Sequence, residues 1–144
     1  MDKCLLLLNA GRDFSSEMIM KTIGANDRDC LEMMIMRGLD VNYYDRKDDS
    51  TILSFACVHS SSDIVKLLVN HKADVNMKDN IGRTPLMFAA MSFCASDMET
   101  LLNAKADPHA VDDNDLNVMW RLRGSQQNDK CYALLIDAMY TPKE

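Results

Sequence analysis

Hydrophobic positions along this chain fall into paired clusters that recur every 33 to 34 residues. In the clearest copy, an apolar run covers residues 85–90 and an apolar pair follows at Leu101-Leu102, with polar turns between them. A blurred upstream copy has apolar residues over 52–56 and the pair Leu67-Leu68. This period is typical of two helices and a turn per unit, each helix burying one face against its neighbours. The pattern therefore predicts a solenoid of stacked helix pairs whose core lies between units.

The residues within each unit resemble the ankyrin repeat. The segment Gly82-Arg83-Thr84-Pro85-Leu86-Met87-Phe88-Ala89-Ala90 matches the family's glycine turn and its Thr-Pro-Leu-His-x-Ala-Ala helix start, and Ala73-Asp74-Val75-Asn76 matches its exit turn. Thr84 can cap the first helix, and Pro85 fits a first turn in which a missing N–H costs nothing. The resemblance implies an all-α fold, an ankyrin-repeat solenoid of antiparallel helix pairs joined by β-hairpin-like finger loops.

This register extends over most of the chain. Residues 29–42 align with residues 63–76 at an offset of 34, and residues 112–119 align with 79–86 at an offset of 33. We expect one domain over residues 1–144, with about four repeats plus an N-terminal half unit. Its predicted parts are a half unit or cap at 1–12, repeats at 13–44, 45–78 and 79–111, and a degenerate C-terminal repeat or cap at 112–144.

Charge and hydropathy restrict the class of partner. The net charge of −6 over 144 residues disfavours nucleic acid and anionic membranes, because both require clustered Lys and Arg. The apolar run Leu5–Leu8 is shorter than the apolar region of a signal peptide, and no stretch is long enough to cross a membrane. We expect a cytoplasmic, possibly nuclear, protein.

The five cysteines are odd in number and scattered, which is typical of free thiols in a reducing compartment. The register predicts one buried position on the second helices, shared by Cys30, Ile64, Met98 and Cys131. It also predicts that Cys57 packs on a first helix and that Cys94 lies nearest to solvent.

No catalytic or metal-binding motif stands out. His59, His71 and His109 fall at different repeat positions, so no thiol has an evident base, and neither Cys-x-x-Cys nor His-x-x-x-His occurs. The alternating Asp113, Asp115 and Asn117 lack the glycine and glutamate of a calcium loop, so an acidic finger turn explains them better. We expect no enzyme activity, no cofactor and no metal.

The resemblance places function on the surface, since ankyrin repeats usually bind other proteins with their finger tips and the exposed face of their first helices, which line a concave groove. We expect a protein–protein interaction module, an adaptor, scaffold or inhibitor, that is a monomer. Met87 and Trp120 are expected to pack, whereas Tyr44, Ile81 and Arg83 are expected to contact the partner. The matching positions are Tyr44, Lys47, Asp48, Val58, His59, Lys78, Asn80, Ile81, Arg83, Met91, Ser92, Val111, Asp113, Asn114 and Leu116.

The sequence also allows two alternatives. The leucine-rich start could belong to a longer ankyrin solenoid or make the protein self-associate. Asn42 and Asn76 match the hairpin asparagine at which the family resemblance implies asparaginyl hydroxylation.

Overall fold

The structure, a computed structural model, describes residues 14–59, 61–123 and 129–140. Within these ranges the chain forms helices arranged as four successive pairs, with one short hairpin. The predicted half unit at 1–12 lies outside the described residues. The helices are α1 (Ser16–Gly24), α2 (Arg28–Met36), α3 (Ile52–Val58), α4 (Ser62–Asn70), α5 (Pro85–Met91), α6 (Ala95–Asn103), α7 (Val118–Arg121) and α8 (Asp129–Tyr140), and the strands are β1 (Tyr44–Asp45) and β2 (Ser50–Thr51).

The first helix of each pair begins at a polar cap. The capping side-chain oxygen accepts a hydrogen bond from the backbone N–H three residues on, which satisfies a donor that the helix leaves open. Pro85 occupies the first turn of α5, as expected. The four capping residues are Ser15, Thr51, Thr84 and Asn117.

The helices form two layers. The first helices α1, α3, α5 and α7 pack in sequence order, and the second helices α2, α4, α6 and α8 do the same. Fully buried residues such as Ile19, Leu53 and Leu86 come from the first layer, and Leu31, Leu68 and Leu101 come from the second. The core therefore runs along the stack between units, and the predicted all-α ankyrin-type solenoid is confirmed.

The register of the second helices differs from the prediction by one residue in the third unit. Helix α6 begins 33 residues after α4, so Leu101 occupies the position of Leu68, and Asp97 occupies that of Ile64. The expectation that Met98 shares the position of Cys30, Ile64 and Cys131 is therefore wrong, because matching the two leucine pairs shifted the alignment. Met98 is still buried, at the position of Val65.

The cysteines only partly follow the expectation of free thiols. Cys57 and Cys131 are buried free thiols, and Cys94 is a half-buried one. Cys30 is buried, as expected, but it is disulfide-bonded, so the prediction of a free thiol is wrong at this position. The remaining predicted thiol, Cys4, lies outside the described residues.

Candidate partner-binding face

Each finger turn is built around a buried aspartate. Asp79 Oδ1 accepts hydrogen bonds from the backbone N–H groups of Ile81 (3.1 Å) and Arg83 (2.8 Å). Asp112 Oδ1 does the same for Asn114 (2.8 Å) and Leu116 (3.1 Å). Carboxylate-to-backbone bonds of this kind fix a turn without strand pairing. The fingers are therefore rigid platforms that hold their tip residues outward.

Asp45 begins the finger of the second unit in the same manner. Its Oδ1 accepts from the N–H of Lys47 (3.0 Å), and the turn closes with the antiparallel pairs Tyr44–Thr51 and Asp45–Ser50. Burial is the main cause that raises the pKa of the Tyr44 hydroxyl, and the charges of Asp49 and Asp79 add to it. Tyr44 thus lies partly covered beside the next finger, as a neutral phenol at neutral pH.

The third finger is joined to its own first helix by Arg83. The Nε of Arg83 donates to Asp79 Oδ2 at 2.7 Å, and its guanidinium carbon lies 4.7 Å from the centre of the Phe88 ring. This combination of an ion pair with a cation–π contact fixes the arginine against α5. Arg83 therefore has a structural role in addition to the predicted role in binding.

The fourth finger is connected to two first helices in a similar way. Arg121 of α7 pairs with Asp112, and its Nη1 lies 3.6 Å from the sulfur of Met91 on α5. Burial opposes ionisation of Asp112, but the backbone donors of Leu116 and Asn114, together with Arg121, hold the pKa of its carboxyl below the ordinary value. The carboxylate is charged at neutral pH and keeps Arg121 in place.

Neighbouring fingers are also bonded to one another. Asn80 Nδ2 donates to Asp49 Oδ2 at 3.2 Å, and Lys78 Nζ donates to the carbonyl of Val111 at 3.1 Å. The tips of successive units therefore form a connected row rather than independent loops.

Apolar side chains project from this connected surface. Ile81 (41% exposed) lies on the third finger and Met91 (42% exposed) lies at the end of α5, with Val58 and Val111 exposed at the corresponding helix end and the next finger. We call the exposed surface of the fingers and of the ends of α3 and α5 the finger face, defined by residues 46–49, 58–59, 78–83, 91–93 and 111–116. Exposed apolar groups on a rigid polar frame are typical of binding surfaces.

Most of the predicted contact residues are exposed on this face. The structure does not test whether they bind a partner, so their role stays a prediction. Four of them are half-buried, namely Tyr44, Arg83, Ser92 and Leu116, and the exposed ones are Lys47, Asp48, Val58, His59, Lys78, Asn80, Ile81, Met91, Val111, Asp113 and Asn114.

Two packing expectations have different outcomes. Met87 is fully buried in α5, so its expected packing role is confirmed. Trp120 occupies the position equivalent to Met87, 33 residues later, but is 48% exposed. The expectation that Trp120 seals the last inter-repeat contact therefore does not hold within the described residues.

Sequence reasoning overlooked Phe93 on the finger face. Phe93 is 49% exposed, and its φ of 53° lies in the left-handed region, which bulky side chains rarely adopt. Phe93 comes directly before Cys94, the cap residue of α6. In the same way, Asn26 (φ 53°) comes directly before Asp27, the cap residue of α2. An aromatic residue where the first unit has a turn-forming asparagine is the signal that could have identified it.

The hairpin asparagines connect successive units on the exit side. Asn42 Oδ1 accepts from the N–H of Asp74 at 2.7 Å, and Asn76 Oδ1 accepts from that of Asp107 at 2.7 Å. Asn76 also donates to the carbonyl of Lys105 at 3.3 Å. Both amides therefore have a structural role.

Comparison with known proteins identifies the family. The sequence profile described as ankyrin repeats matches residues 19–112 in three copies, so the chain belongs to the ankyrin-repeat family. Ankyrin repeats are general protein–protein interaction modules, and the family is typically non-catalytic. None of the helices that the structure describes could span a membrane.

The chain resembles the repeat segments of much longer proteins. A Rickettsia felis protein described as an ankyrin repeat protein is 27% identical over 119 residues, which are 81% of this chain and 31% of that protein. The tyrosine-protein kinase Shark of Drosophila melanogaster is 44% identical over 61 residues, 42% of this chain and 6% of the kinase. The chain thus spans less than a third of these relatives, and its likeness to them concerns the repeats.

Proposed function

We propose that this protein is a non-enzymatic adaptor, scaffold or inhibitor that holds one partner protein on the finger face, as a monomer in the cytoplasm or nucleus. The observation that carries the proposal is the set of half-exposed apolar side chains on rigid fingers, above all Ile81 and Met91. Apolar side chains in the centre of such a surface can supply most of the binding free energy.

The connected structure of the face supports this proposal. Asp79 and Asp112 fix the finger turns, and Arg83 and Arg121 attach those turns to α5 and α7. A surface whose tips are already held in place loses little conformational entropy when a partner binds. Four units also provide room for an interface of roughly 1,200–2,000 Å² in total, the usual size for a specific complex.

Alanine replacement of Ile81 and Met91 together tests the proposal. Both side chains are about two-fifths exposed, so their removal should leave the fold intact and weaken partner capture by roughly tenfold or more. Arg83 is a poor choice for this experiment because its loss would also free Asp79 and Phe88. The measurement is quantitative capture from cell lysate, with thermal unfolding as the check on folding.

Met36→Ala is the matched control. Met36 is an 80% exposed methionine on the second helix α2, away from the fingers. Proteins retained by the Met36 variant and lost by the Ile81/Met91 variant are the candidate partners. Equal capture by both variants would exclude this face as the binding site.

Self-association or a neighbouring unit is the second candidate function. Trp120 is half exposed, whereas the equivalent Met87 is fully buried beneath the next unit, and Ile136 and Tyr140 of the same helix pair are also exposed. These side chains could pack against another repeat, in a longer solenoid or in a second copy. Light scattering should show association that Trp120→Ala reduces if this function is right, and a concentration-independent monomer if it is not.

Asn42 and Asn76 are also proposed sites of asparaginyl hydroxylation. This proposal draws on the hairpin position of both residues, although both amides already bond to the next unit. An intact-mass increase of one oxygen after expression in animal cells, lost in Asn76→Gln, would support it at Asn76.

A further inference from the structure

A carboxylic acid lies inside the apolar layer of second helices. Asp97 of α6 is only 1% exposed, and neither carboxyl oxygen has a hydrogen-bond partner of acceptable geometry among the described residues. The equivalent positions in the other pairs hold Cys30, Ile64 and Cys131. An ionised carboxylate in a position built for such side chains opposes folding, because its lost hydration is only partly replaced.

The groups that face this carboxyl come from the adjacent helices. Ser62, the first residue of α4, and Cys94, the cap residue of α6, have their side-chain oxygen and sulfur 3.8 Å apart, and both favour the ionised form of Asp97. Lys66 of α4 is the cation that acts on it, but this lysine is exposed to solvent. The buried Cys57 of α3 senses the charge of Asp97 from the first-helix layer.

Helix α8, on the other side of α6, also lacks a compensating buried cation in its described residues. Its first turn carries the buried thiol of Cys131 and the exposed Lys130. Burial raises the pKa of the Cys131 thiol, and it raises that of Cys57 well above the ordinary range, so both are neutral at neutral pH. The electrostatics around Asp97 are therefore dominated by its burial.

Burial is the main cause that raises the pKa of Asp97, and the contacts with Ser62, Cys94 and Lys66 offset it only in part. The folded state therefore binds the proton more tightly than the unfolded state does. Stability is highest below the pKa of the unfolded chain and falls as the pH rises towards the higher pKa of the folded chain. The pH dependence of stability that Asp97 contributes therefore has the opposite sign to the contribution of Asp112, whose pKa is lowered.

We propose that Asp97 is a proton-controlled joint between α4 and α6, which holds these two second helices tightly together when its carboxyl is protonated and loosens their packing when it ionises. The proposal concerns the interior of the stack and does not depend on partner binding at the finger face. Its location is specific, because the groups that act on Asp97 belong to the second and third units.

Asp97→Asn tests the joint by removing the ionisation while keeping the shape. Denaturant unfolding is measured for the parent and the variant at several values from about pH 3.5 to 7, the range in which carboxyl groups titrate. The parent should lose stability relative to the variant as the pH rises. The ratio of their unfolding equilibrium constants should grow by about tenfold for each pH unit by which the folded pKa exceeds the unfolded one. A ratio that is independent of pH overturns the proposal.

Asp63→Asn is the matched control. Asp63 is an exposed carboxylate in the first turn of α4. Its replacement should not make the variant progressively more stable than the parent as the pH rises. The same rise in both variants would overturn the assignment to Asp97.

Amide hydrogen exchange locates the effect. After correction for the intrinsic rate, Asp97→Asn should slow exchange in α6 near neutral pH and leave α1 unchanged; equal effects in both helices would mean a global change and overturn a local joint.

If the variant does not fold, the carboxyl carbon-13 shift of Asp97 in the parent decides. A titration midpoint at or below the ordinary aspartate value would overturn the proposal, and one above it would support it.

Discussion

Phe93 combines two features that seldom occur together in one residue. Its side chain is half exposed beside Met91, and its backbone has a positive φ that a non-glycine residue adopts at a cost of about 1–2 kcal/mol. The positive φ belongs to a Schellman cap after α5, in which the N–H of Cys94 bonds to the carbonyl of Ala89 and that of Phe93 bonds to Ala90. The exposed ring, and not the backbone conformation, therefore favours a binding role for Phe93 on the finger face.

Paired replacements of Phe93 separate the strain from the lost side chain. Phe93→Gly and Phe93→Ala both remove the ring, so both should weaken partner capture. The glycine variant should be the more stable of the two by about 1 kcal/mol, the reverse of the usual order, because only glycine adopts this backbone conformation freely. Denaturant unfolding measures the difference. Greater stability of the alanine variant would show that the backbone at residue 93 is not strained.

At the scale of the helix, three second helices end in the same motif. After α4, the N–H of Ala73 bonds to the carbonyl of Leu68 and that of Lys72 bonds to Val69. This is the pattern of a Schellman cap, whose central residue has positive φ. The residue with positive φ is Gly38 after α2, Lys72 after α4 and Lys105 after α6.

Lys72→Gly should therefore raise the free energy of unfolding by roughly 0.5–1 kcal/mol, because the lysine backbone is strained and its side chain is exposed. Gly38→Ala is the converse control and should lower the free energy of unfolding by a similar amount. An added Cβ at residue 38 would meet nothing within 4 Å, so only backbone strain would change. Thermal unfolding of both variants checks the pair, and destabilisation by Lys72→Gly would contradict this account.

The repeat period was enough to predict the helix pairs, because the caps at Thr51 and Thr84 and the apolar runs after them are local signals. It was not enough to place Asp97 in the core. An aspartate is normally expected at the surface. Because Leu101 and Leu102 are adjacent, the leucine pairs of the second and third units also align well when they are one residue out of register. The finger face was predicted by resemblance to the family. The ion pairs that fix Arg83 and Arg121 have no signature in a single sequence.

For the whole molecule, the contacts within each layer run from one unit to the next. Helix α3 packs against α1 and α5, and α5 packs against α7, while α4 and α6 form the corresponding contacts in the second layer. The free energy of unfolding of such a stack is approximately the sum of the intrinsic stability of each unit and the stabilisation from each interface between neighbouring units. Coupling between mutations should therefore fall with their separation along the stack.

A double-mutant cycle tests this linear arrangement. Leu53→Ala and Leu86→Ala act on the adjacent helices α3 and α5, where both leucines are buried, and each should cost about 2–5 kcal/mol. Their combined cost should differ from the sum by at least about 0.5 kcal/mol, because each cavity changes the packing of the other. Ile19→Ala in α1 and Val118→Ala in α7 lie at opposite ends of the first layer, so their costs should add within about 0.5 kcal/mol. Urea unfolding provides the free energies, and stronger coupling in the distant pair would mean that the units do not behave as a chain of neighbours.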